Sequence, residues 1–377
     1  MKPVKISIPP AKPYFPEEDL EKITEDIKTV LRGGMLTIWK KTEEFESKWK
    51  EYTKAKFAIG VNSATAALYI SLRVLGIGNG DEVAVPTNTF AATAAVALMV
   101  GAKPVFIDMD PKTYCINVDD LNEKITQKTK AVIPVHHSGN MCDMERILEI
   151  AKENKMFVIE DAAHAHGSLL NGIHAGNFGN TGCFSFYPTK NITTAEGGMI
   201  ITNDEKIANL VKIIRDQGKP DFFSGDVVEL GFNFRISELH AILGIYQLSR
   251  LEEWVRRRNE IAERYTKTIK NLSGLHPPFV PKNVRHSFYK YMVLCDEGVN
   301  RDELRAKLKE RGVSTSLQYD PLVHQLTYYK KLGFKDGICP IAESMSKRIF
   351  SLPHFNQMTD EEVEYVCQIL EEVVGKK

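Results

Sequence analysis

Residues 183–199 read CFSFYPTKNITTAEGGM, and this stretch places one lysine, Lys190, between an aromatic run and a glycine pair. Phe184, Phe186 and Tyr187 predict a partly desolvated pocket, in which an amine loses its proton more readily than in water. A nucleophilic lysine needs that property to form a Schiff base. Lys190 is therefore a candidate catalytic residue, although a solvated loop lysine is the ordinary alternative in a chain with 49 lysines and arginines.

A carboxylate follows a strand signal upstream of this lysine. Residues 156–160 (MFVIE) form a short apolar run that predicts a buried parallel strand, and Asp161 comes directly after it. Ligands of open α/β sheets bind just beyond the carboxyl ends of the strands, so a carboxylate there is expected to face a site. Asp161 could hold a protonated pyridine nitrogen, and the alternative is a cap of the following helix.

A helix start further upstream has the features of a phosphate site. Residues 56–61 (KFAIGV) predict a strand, and residues 62–65 (NSAT) then open an apolar helix. Free backbone N–H groups and hydroxyls converge at such a start, which favours an anion at Ala64 and Thr65. Ser185 could add a hydroxyl to the same phosphate. The alternative is an ordinary N-cap.

An aromatic residue completes the pattern. Residues 81–86 (DEVAVP) predict another strand, and Phe90 follows at the head of an alanine-rich helix. Its ring could cover one face of a flat heterocycle, whereas a core position is the alternative. A phosphate site, an aromatic cover, a pyridinium partner and a lysine nucleophile, in that order along the chain, predict pyridoxal 5′-phosphate (PLP) as the cofactor.

The order of strand and helix signals predicts the fold class. Signals alternate between residues 56 and 202, which indicates an α/β fold with a mostly parallel central sheet and helices on both faces. A long helix is predicted from residue 237 to about residue 270. Later strand and helix signals, with a capping box at Thr359, indicate a smaller α+β domain. We expect a large domain over residues 1–250, including the N-terminal segment, and a small domain over residues 251–377.

Three other patterns receive ordinary interpretations. The glycines of residues 76–80 (GIGNG) follow a helix signal, whereas a dinucleotide fingerprint must open a helix, so we expect a turn. Residues 136–143 (HHSGNMCD) invite a metal hypothesis, but their spacing matches no zinc pattern, and we expect no metal. Residues 256–258 (RRR) are interpreted as a solvated helix face.

Composition is that of a soluble cytoplasmic enzyme. The 377 residues carry 49 acidic and 49 basic side chains, so nucleic acid and anionic membranes are not expected partners. The longest apolar stretch, residues 91–100, is shorter than a membrane span, and the N-terminal sequence lacks a signal-peptide core. Six scattered cysteines are expected to be reduced.

The chain resembles a known family over most of its length, from about Ile8 to about Val374. The family is that of the DegT/DnrJ/EryC1/StrS sugar aminotransferases, which belong to fold type I of the PLP-dependent transferases. The stretches that resemble it, in the family's order, are NSATAALYISLRVLGIGNGDEVAVPTNTF, GAKPVFIDMDPKTYCI, AVIPVHHSGNMCDM, VIEDAAHAHGS, FSFYPTKNITTAEGGMIITND and LGFNFRISELHAILGI.

The resemblance implies roles for individual residues. It implies Lys190 as the Schiff-base lysine, Asp161 as the partner of the pyridine nitrogen and His164 as a neighbour of the ring hydroxyl. It places Ala64, Thr65 and Ser185 at the phosphate. It also implies a homodimer with shared active sites, in which Asn233 reaches the cofactor phosphate of the neighbouring subunit. Arg235 could serve that interface, the substrate or the helix that follows it.

The resemblance also implies a reaction. We expect transfer of an amino group from L-glutamate to a nucleotide-linked keto sugar, at C4 of a 4-keto-6-deoxy sugar, in aminosugar synthesis of the lipopolysaccharide or O-antigen kind. His324 is a candidate substrate contact. A PLP-dependent sugar dehydratase is an alternative, but dehydratases similar to this family have histidine at the position of Lys190. A non-catalytic regulatory member of the same fold is the other alternative.

This chain departs from the family pattern at several positions. Ala64 stands where the family usually has the glycine of Ser-Gly-Thr. His164 stands where glutamine is common, and Ala195 where glycine is common. Ile38 and Trp39 replace a glycine expected near a substrate loop.

Overall fold

The computed structural model describes residues 7–375. Residues 1–6 and 376–377, which fall in the predicted N-terminal segment and at the end of the predicted small domain, lie outside the described residues. The α-helices are α1 (Glu17–Gly33), α2 (Lys40–Thr53), α3 (Ala64–Val74), α4 (Ala91–Met99), α5 (Val118–Lys124), α6 (Met144–Glu153), α7 (Glu205–Arg215), α8 (Glu238–Ile269), α9 (Arg301–Glu310), α10 (Thr327–Lys331), α11 (Pro340–Met345) and α12 (Asp360–Val374). The strands are β1 (Phe57–Val61), β2 (Glu82–Pro86), β3 (Lys103–Ile107), β4 (Thr129–Val132), β5 (Phe157–Asp161), β6 (Leu169–Leu170), β7 (Ile173–His174), β8 (Thr181–Ser185), β9 (Gly198–Thr202), β10 (Leu275–His276), β11 (Val284–Arg285), β12 (Tyr291–Cys295) and β13 (Ile349–Leu352). Single 3₁₀ turns form at His137–Gly139 and Val323–Gln325.

The central sheet has seven strands in the order β1-β9-β8-β5-β4-β2-β3. β8, β5, β4, β2 and β3 pair in parallel, whereas β9 is antiparallel to both β1 and β8. The chain returns from β8 to β9 through residues 186–197 without a helical crossover, and β9 is therefore able to run antiparallel. The predicted α/β fold with a mostly parallel sheet is confirmed.

Helices cover both faces of this sheet. In β1, Ala58 belongs to one hydrophobic cluster with residues of α2, α6 and α8, whereas Ile59 belongs to another with residues of α3, α4 and α7. Successive side chains of a strand point to opposite faces, so the two clusters lie on opposite sides of the sheet. Burial on both faces explains the continuous apolar runs that these strands show in the sequence.

The C-terminal part has its own hydrophobic cluster. It includes residues of α9, α12, β12 and β13, together with Ile8 from the N-terminal segment. A three-stranded sheet, β10-β12-β13, lies beside these helices. Thr359 and Glu362 form the predicted capping box at the start of α12.

The longest helix, α8, contributes to two of these clusters. Ser237 caps it by accepting a hydrogen bond from the His240 N–H, as expected for the predicted start. Its buried residues up to Val255 pack against the central sheet side, and those from Ile261 onward pack in the C-terminal cluster. Residue 250 lies inside this helix, so the division into residues 1–250 and 251–377 stays a prediction.

The prediction of a solvated arginine face on α8 is wrong for Arg258, whereas Arg256 is exposed and Arg257 is half-buried. Arg258 is 3% exposed, and its guanidinium donates hydrogen bonds to the carbonyls of Phe288 and His354 and to Asn356 Oδ1. Burial lowers the pKa of Arg258 to about 9. Arg258 lies on the buried face of α8, where carbonyl oxygens accept hydrogen bonds from its guanidinium.

Further predictions concern turns, cysteines and membranes. Gly76 and Gly80 have φ angles of 75° and 89° and turn the chain between α3 and β2, as expected. All six cysteines are unpaired and buried. Within residues 7–375, no helix has both the length and the apolar character needed to span a membrane.

Candidate active site at the carboxyl edge of the sheet

A cavity of about 500 Å³ opens where β5 and β8 end and where α3 and α4 begin. The sequence separated the candidate residues widely, but the sheet brings most of them to this one edge. Those that line the cavity are Ala64, Thr65, Phe90, Asp161, His164, Ser185 and Lys190.

Asp161 is the last residue of β5 and lies 5% exposed at the cavity. Its Oδ2 accepts a hydrogen bond from Thr93 Oγ1 at 2.8 Å, and its Oδ1 accepts one from the Ala163 N–H at 3.2 Å. Burial raises the pKa of this carboxyl, while the two hydrogen bonds and the charge of Lys190 act in the opposite direction. Residues 162–168 form turns rather than a helix, which removes the helix-cap alternative.

The start of α3 offers free donors to an anion. Ser63 is the N-cap and accepts from the Ala66 N–H, so the ordinary N-cap alternative holds for its hydroxyl. The N–H groups of Ala64 and Thr65 donate to no acceptor within residues 7–375, and both residues line the cavity. Unpaired donors at a helix start fit a phosphate.

A glycine determines how closely β9 approaches these donors at the start of α3. A Cβ on Gly198 in β9 would lie 2.4 Å from the carbonyl carbon of Ser63 and 2.7 Å from the Ala64 nitrogen. Only glycine therefore lets β9 approach the start of α3 this closely. Ala64, which stands where the family usually has glycine, lines the cavity.

Lys190 lies in the loop between β8 and β9 and is half-buried. Its backbone N–H donates to the Tyr187 carbonyl at 3.0 Å. Its Nζ lies 4.6 Å from the ring centroid of Tyr289 and, among the described residues, has no hydrogen-bond acceptor or ion-pair partner. A lysine with a free amine at a cavity differs from a solvated loop lysine.

His164 is held as a neutral ring beside this lysine. The Ser138 N–H donates to its Nδ1 at 3.3 Å, which leaves Nε2 to carry the hydrogen toward the Tyr319 hydroxyl at 3.2 Å. Its ring stacks on Tyr289 with centroids 4.5 Å apart. Burial, followed by the charge of Lys190, lowers the pKa of His164 well below its ordinary value.

Phe90 is the N-cap residue of α4 and is 64% exposed at the cavity mouth. That exposure excludes the core position that was the alternative. In the described part of the chain no other ring packs against it, so its face is open to a flat ligand. Asp161, the α3 donors and Phe90 together fit a PLP ring and phosphate.

Three candidate residues lie outside this cavity. Asn233 is exposed, Arg235 pairs with Asp216 at 2.5 Å, and His324 is fully buried. Thr87 Oγ1 and Glu343 Oε1 lie 2.5 Å and 3.1 Å from the two ring nitrogens of His324. His324 thus has a structural environment rather than a cavity position.

The metal hypothesis for residues 136–143 has a structural answer. His136 Nε2 lies 2.8 Å from Glu160 Oε2, Cys142 Sγ donates to the Val135 carbonyl, and Asp143 caps α6. Over residues 7–375, no group of three or more His, Cys, Asp and Glu side chains could hold a metal ion.

Two departures from the family pattern have unusual backbone angles. Ala195 has φ 68° and Ile38 has φ 43°, both in the left-handed region that favours glycine. The glycines expected there from the resemblance therefore correspond to a real backbone requirement. This chain satisfies it with side chains that are strained in that region.

Sequence reasoning missed three residues that surround the site: Tyr289, Tyr319 and Thr93. Thr93 follows Phe90 by one helical turn, a spacing that could have indicated a shared face. Tyr289 and Tyr319 come from the C-terminal part of the chain, and no local pattern marks them.

Comparisons with known proteins agree with this geometry. The DegT/DnrJ/EryC1/StrS aminotransferase family matches residues 17–371. GDP-perosamine synthase of Escherichia coli O157:H7 is 37% identical over 337 residues, covering 89% of this chain and 90% of the relative. Helicobacter pylori PseC, an aminotransferase involved in the biosynthesis of pseudoaminic acid, is 28% identical, with a TM-score of 0.91 over 98% of this chain and 99% of that one.

A third relative bears on the cofactor. Spr1654 of Streptococcus pneumoniae, in its PLP form, is 31% identical, with a TM-score of 0.90 over 98% of this chain and 100% of that one. The same protein is also solved in a pyridoxamine phosphate (PMP) form. The chain described here belongs to the DegT/DnrJ/EryC1/StrS aminotransferase family and is a PLP-dependent sugar aminotransferase of fold type I.

Proposed function

We propose that this protein transfers an amino group from L-glutamate to a nucleotide-linked keto sugar, at C4 of a 4-keto-6-deoxy sugar. The observation that carries the proposal is that Lys190 and Asp161, the two residues an aminotransferase needs, line one cavity together. Asp161 is buried at the end of β5, and Lys190 Nζ lies over the face of the Tyr289 ring.

Bound PLP supplies the carbon that accepts the amino group and a ring that withdraws electrons from the substrate carbon. In our proposal Lys190 Nζ holds the cofactor and, once released, moves a proton between the substrate carbon and the cofactor. Asp161 holds the proton on the pyridine nitrogen, and its burial keeps water from competing for it. The Ala64 and Thr65 N–H groups, with Ser185, hold the phosphate, and His164 orients the ring hydroxyl.

The sugar and its nucleotide are proposed from two kinds of support. One relative is named as a synthase of a GDP-linked sugar. Residues 196–197 border the cavity, and the segment 190–199 (KNITTAEGGM) resembles family members that act at C4 rather than C3. A 500 Å³ cavity also has the size of an ordinary small-molecule site.

The homodimer is part of the proposal. One short segment holds five large apolar residues that are 45–79% exposed: Phe223, Val227, Val228, Leu230 and Phe232. Several exposed large apolar side chains in one segment favour a protein interface. The same segment leads to the exposed Asn233, which we propose reaches the cofactor phosphate of the neighbouring subunit.

We also propose a cytoplasmic location and a role in aminosugar synthesis of the lipopolysaccharide or O-antigen kind. The six unpaired cysteines agree with a reducing compartment. The pathway rests on the family resemblance alone.

The absorption spectrum of the PLP-loaded protein tests the donor half of the proposal. We expect L-glutamate to convert the visible band of the bound cofactor to the near-ultraviolet band of PMP. Addition of a GDP-, UDP- or dTDP-linked 4-keto-6-deoxy sugar should then restore the visible band. If L-glutamate leaves the spectrum unchanged, the donor is wrong. If no keto sugar restores it, the acceptor is wrong, and a protein that retains no PLP would favour the regulatory alternative.

A further inference from the structure

The proposed function leaves one question that the cavity geometry addresses: where Lys190 goes when its amine is not bonded to the cofactor. The lysine must then remain close to the reacting carbon without pairing with Asp161, because Asp161 is needed by the pyridine nitrogen. In the structure the hydrogen bonds to Asp161 come from Thr93 and the Ala163 N–H, and Lys190 acts on this carboxyl only through its charge.

The Lys190 amine lies over the face of an aromatic ring. Lys190 Nζ lies 4.6 Å from the ring centroid of Tyr289, inside the roughly 6 Å at which a cation is attracted to an aromatic ring. Tyr289 is 5% exposed, so solvent screens this attraction little.

The tyrosine ring is held rigidly. Its hydroxyl lies 3.1 Å from Thr189 Oγ1, next to Lys190 in the chain, and its face stacks on His164 at 4.5 Å. The ring is thus fixed between the residue before the lysine and the residue we assign to the cofactor hydroxyl.

The charges around the Tyr289 ring also favour a cation at its face. Lys290, which is 6% exposed, has its Nζ 5.3 Å from the Tyr289 centroid. Burial acts to raise the pKa of Tyr289, but the charges of Lys190 and Lys290, with the Thr189 hydrogen bond, lower it overall. The buried Tyr289 ring thus has the amino groups of two lysines within about 6 Å of its centroid.

We propose that Tyr289 is a positioning residue whose ring face holds the released Lys190 amino group, most strongly when that group carries a proton as an ammonium. This inference rests on the proposed function, because only an enzyme that releases its lysine during turnover needs such a place. The ring keeps the amine beside the reacting carbon and apart from Asp161.

The test measures Lys190 directly rather than through turnover. PMP-loaded wild type, Tyr289→Phe and Tyr289→Leu are treated with an amine-selective acetylating reagent, and acetylation of Lys190 is followed by peptide mass spectrometry. We expect Tyr289→Leu to raise the rate roughly 10- to 30-fold, because the lysine loses its aromatic cover and attraction. Tyr289→Phe keeps the ring face and should stay within about twofold of wild type. Lys103, whose side chain is 68% exposed, is the internal reference.

Equal rates in wild type and Tyr289→Leu would overturn the inference, as would a Tyr289→Phe rate equal to that of Tyr289→Leu. A crystal structure of the PMP-loaded wild type keeps the test independent of variant folding. Lys190 Nζ over the Tyr289 ring supports the inference, and an ion pair with Asp161 overturns it. None of these readouts uses a donor or a keto sugar, so failure of the proposed reaction appears separately, in the absorption experiment.

Discussion

Mild acid is expected to destabilise this protein because several buried histidines are neutral in the folded state. Burial lowers the pKa of His137 to about 4, and lowers those of His166 and His286 to about 3 in each case. Unfolded histidines titrate near 6.5. The unfolded state therefore binds more protons as the pH falls below 6.5, and the free energy of unfolding decreases.

The magnitude follows from these values. Between pH 6.5 and pH 5.5 an unfolded histidine goes from half to about nine-tenths protonated, while these folded histidines stay neutral, which costs about 1 kcal/mol each. The three together remove about 3 kcal/mol. The raised pKa of Asp161 has the opposite effect on stability, because the folded carboxyl binds its proton at a higher pH than the unfolded one. This single group can offset the destabilisation from at most one histidine.

The assay is urea unfolding of the PLP-loaded protein at both pH values, followed by the fluorescence of buried Trp49 and Trp254. His137→Leu removes one titrating group, so its loss between the two pH values should be about 1 kcal/mol smaller than that of wild type. His137→Asn is the matched polar variant and should show the same reduction. The two ring nitrogens of His137 have no partner within residues 7–375, so the apolar variant should cost little at pH 7.5. An unchanged pH dependence in both variants would refute the reasoning.

Three other substitutions test the site and its backbone. Phe90→Ala should weaken PLP binding about 2- to 12-fold through lost stacking. It should leave the melting temperature unchanged because the ring is 64% exposed, and a loss of stability without a loss of PLP affinity would contradict the assignment. Ala195→Gly should raise the free energy of unfolding by about 1 kcal/mol in denaturant titrations because φ is 68° there. The control Ala97→Gly, inside α4, should lower it by about 1 kcal/mol or more. Gly198→Ala should lower PLP retention on gel filtration roughly tenfold, because its Cβ would meet the Ser63 backbone at 2.4 Å and overpacking costs about 1–3 kcal/mol. Retention equal to wild type would show that α3 can shift without loss of cofactor binding.

Much of the site was predictable because it follows from strand ends. Asp161 and Ser185 are the last residues of β5 and β8, and parallel strands end at a common edge. Local apolar runs locate the strand boundaries within a residue or so: the sequence predicts a strand over residues 156–160, and β5 spans Phe157–Asp161. The α3 start was equally local, since a polar turn precedes an apolar helix.

The remaining parts depend on tertiary packing that no local pattern contains. Tyr289 and Tyr319 reach the cavity from loops far along the chain, and only the packing of the C-terminal part brings them there. Arg258 belongs to an arginine run that predicts a solvated face, but its position around the axis of α8 places it beside buried carbonyl oxygens. His324 lies in an aromatic segment that suggests a substrate loop, yet Glu343 and Thr87 bury it.

The continuous helix α8 limits how the active site can open. Its 32 residues run without a break from the central-sheet cluster, which includes α8 residues up to Val255, into the C-terminal cluster, which begins at Ile261, and a helix of this length spans about 48 Å. Bending it would break backbone hydrogen bonds inside packed surroundings, so the C-terminal part cannot swing as a lid on a hinge at that point. We therefore expect substrates to enter and leave by movement of loops at the cavity mouth, while the central sheet and the C-terminal part move together.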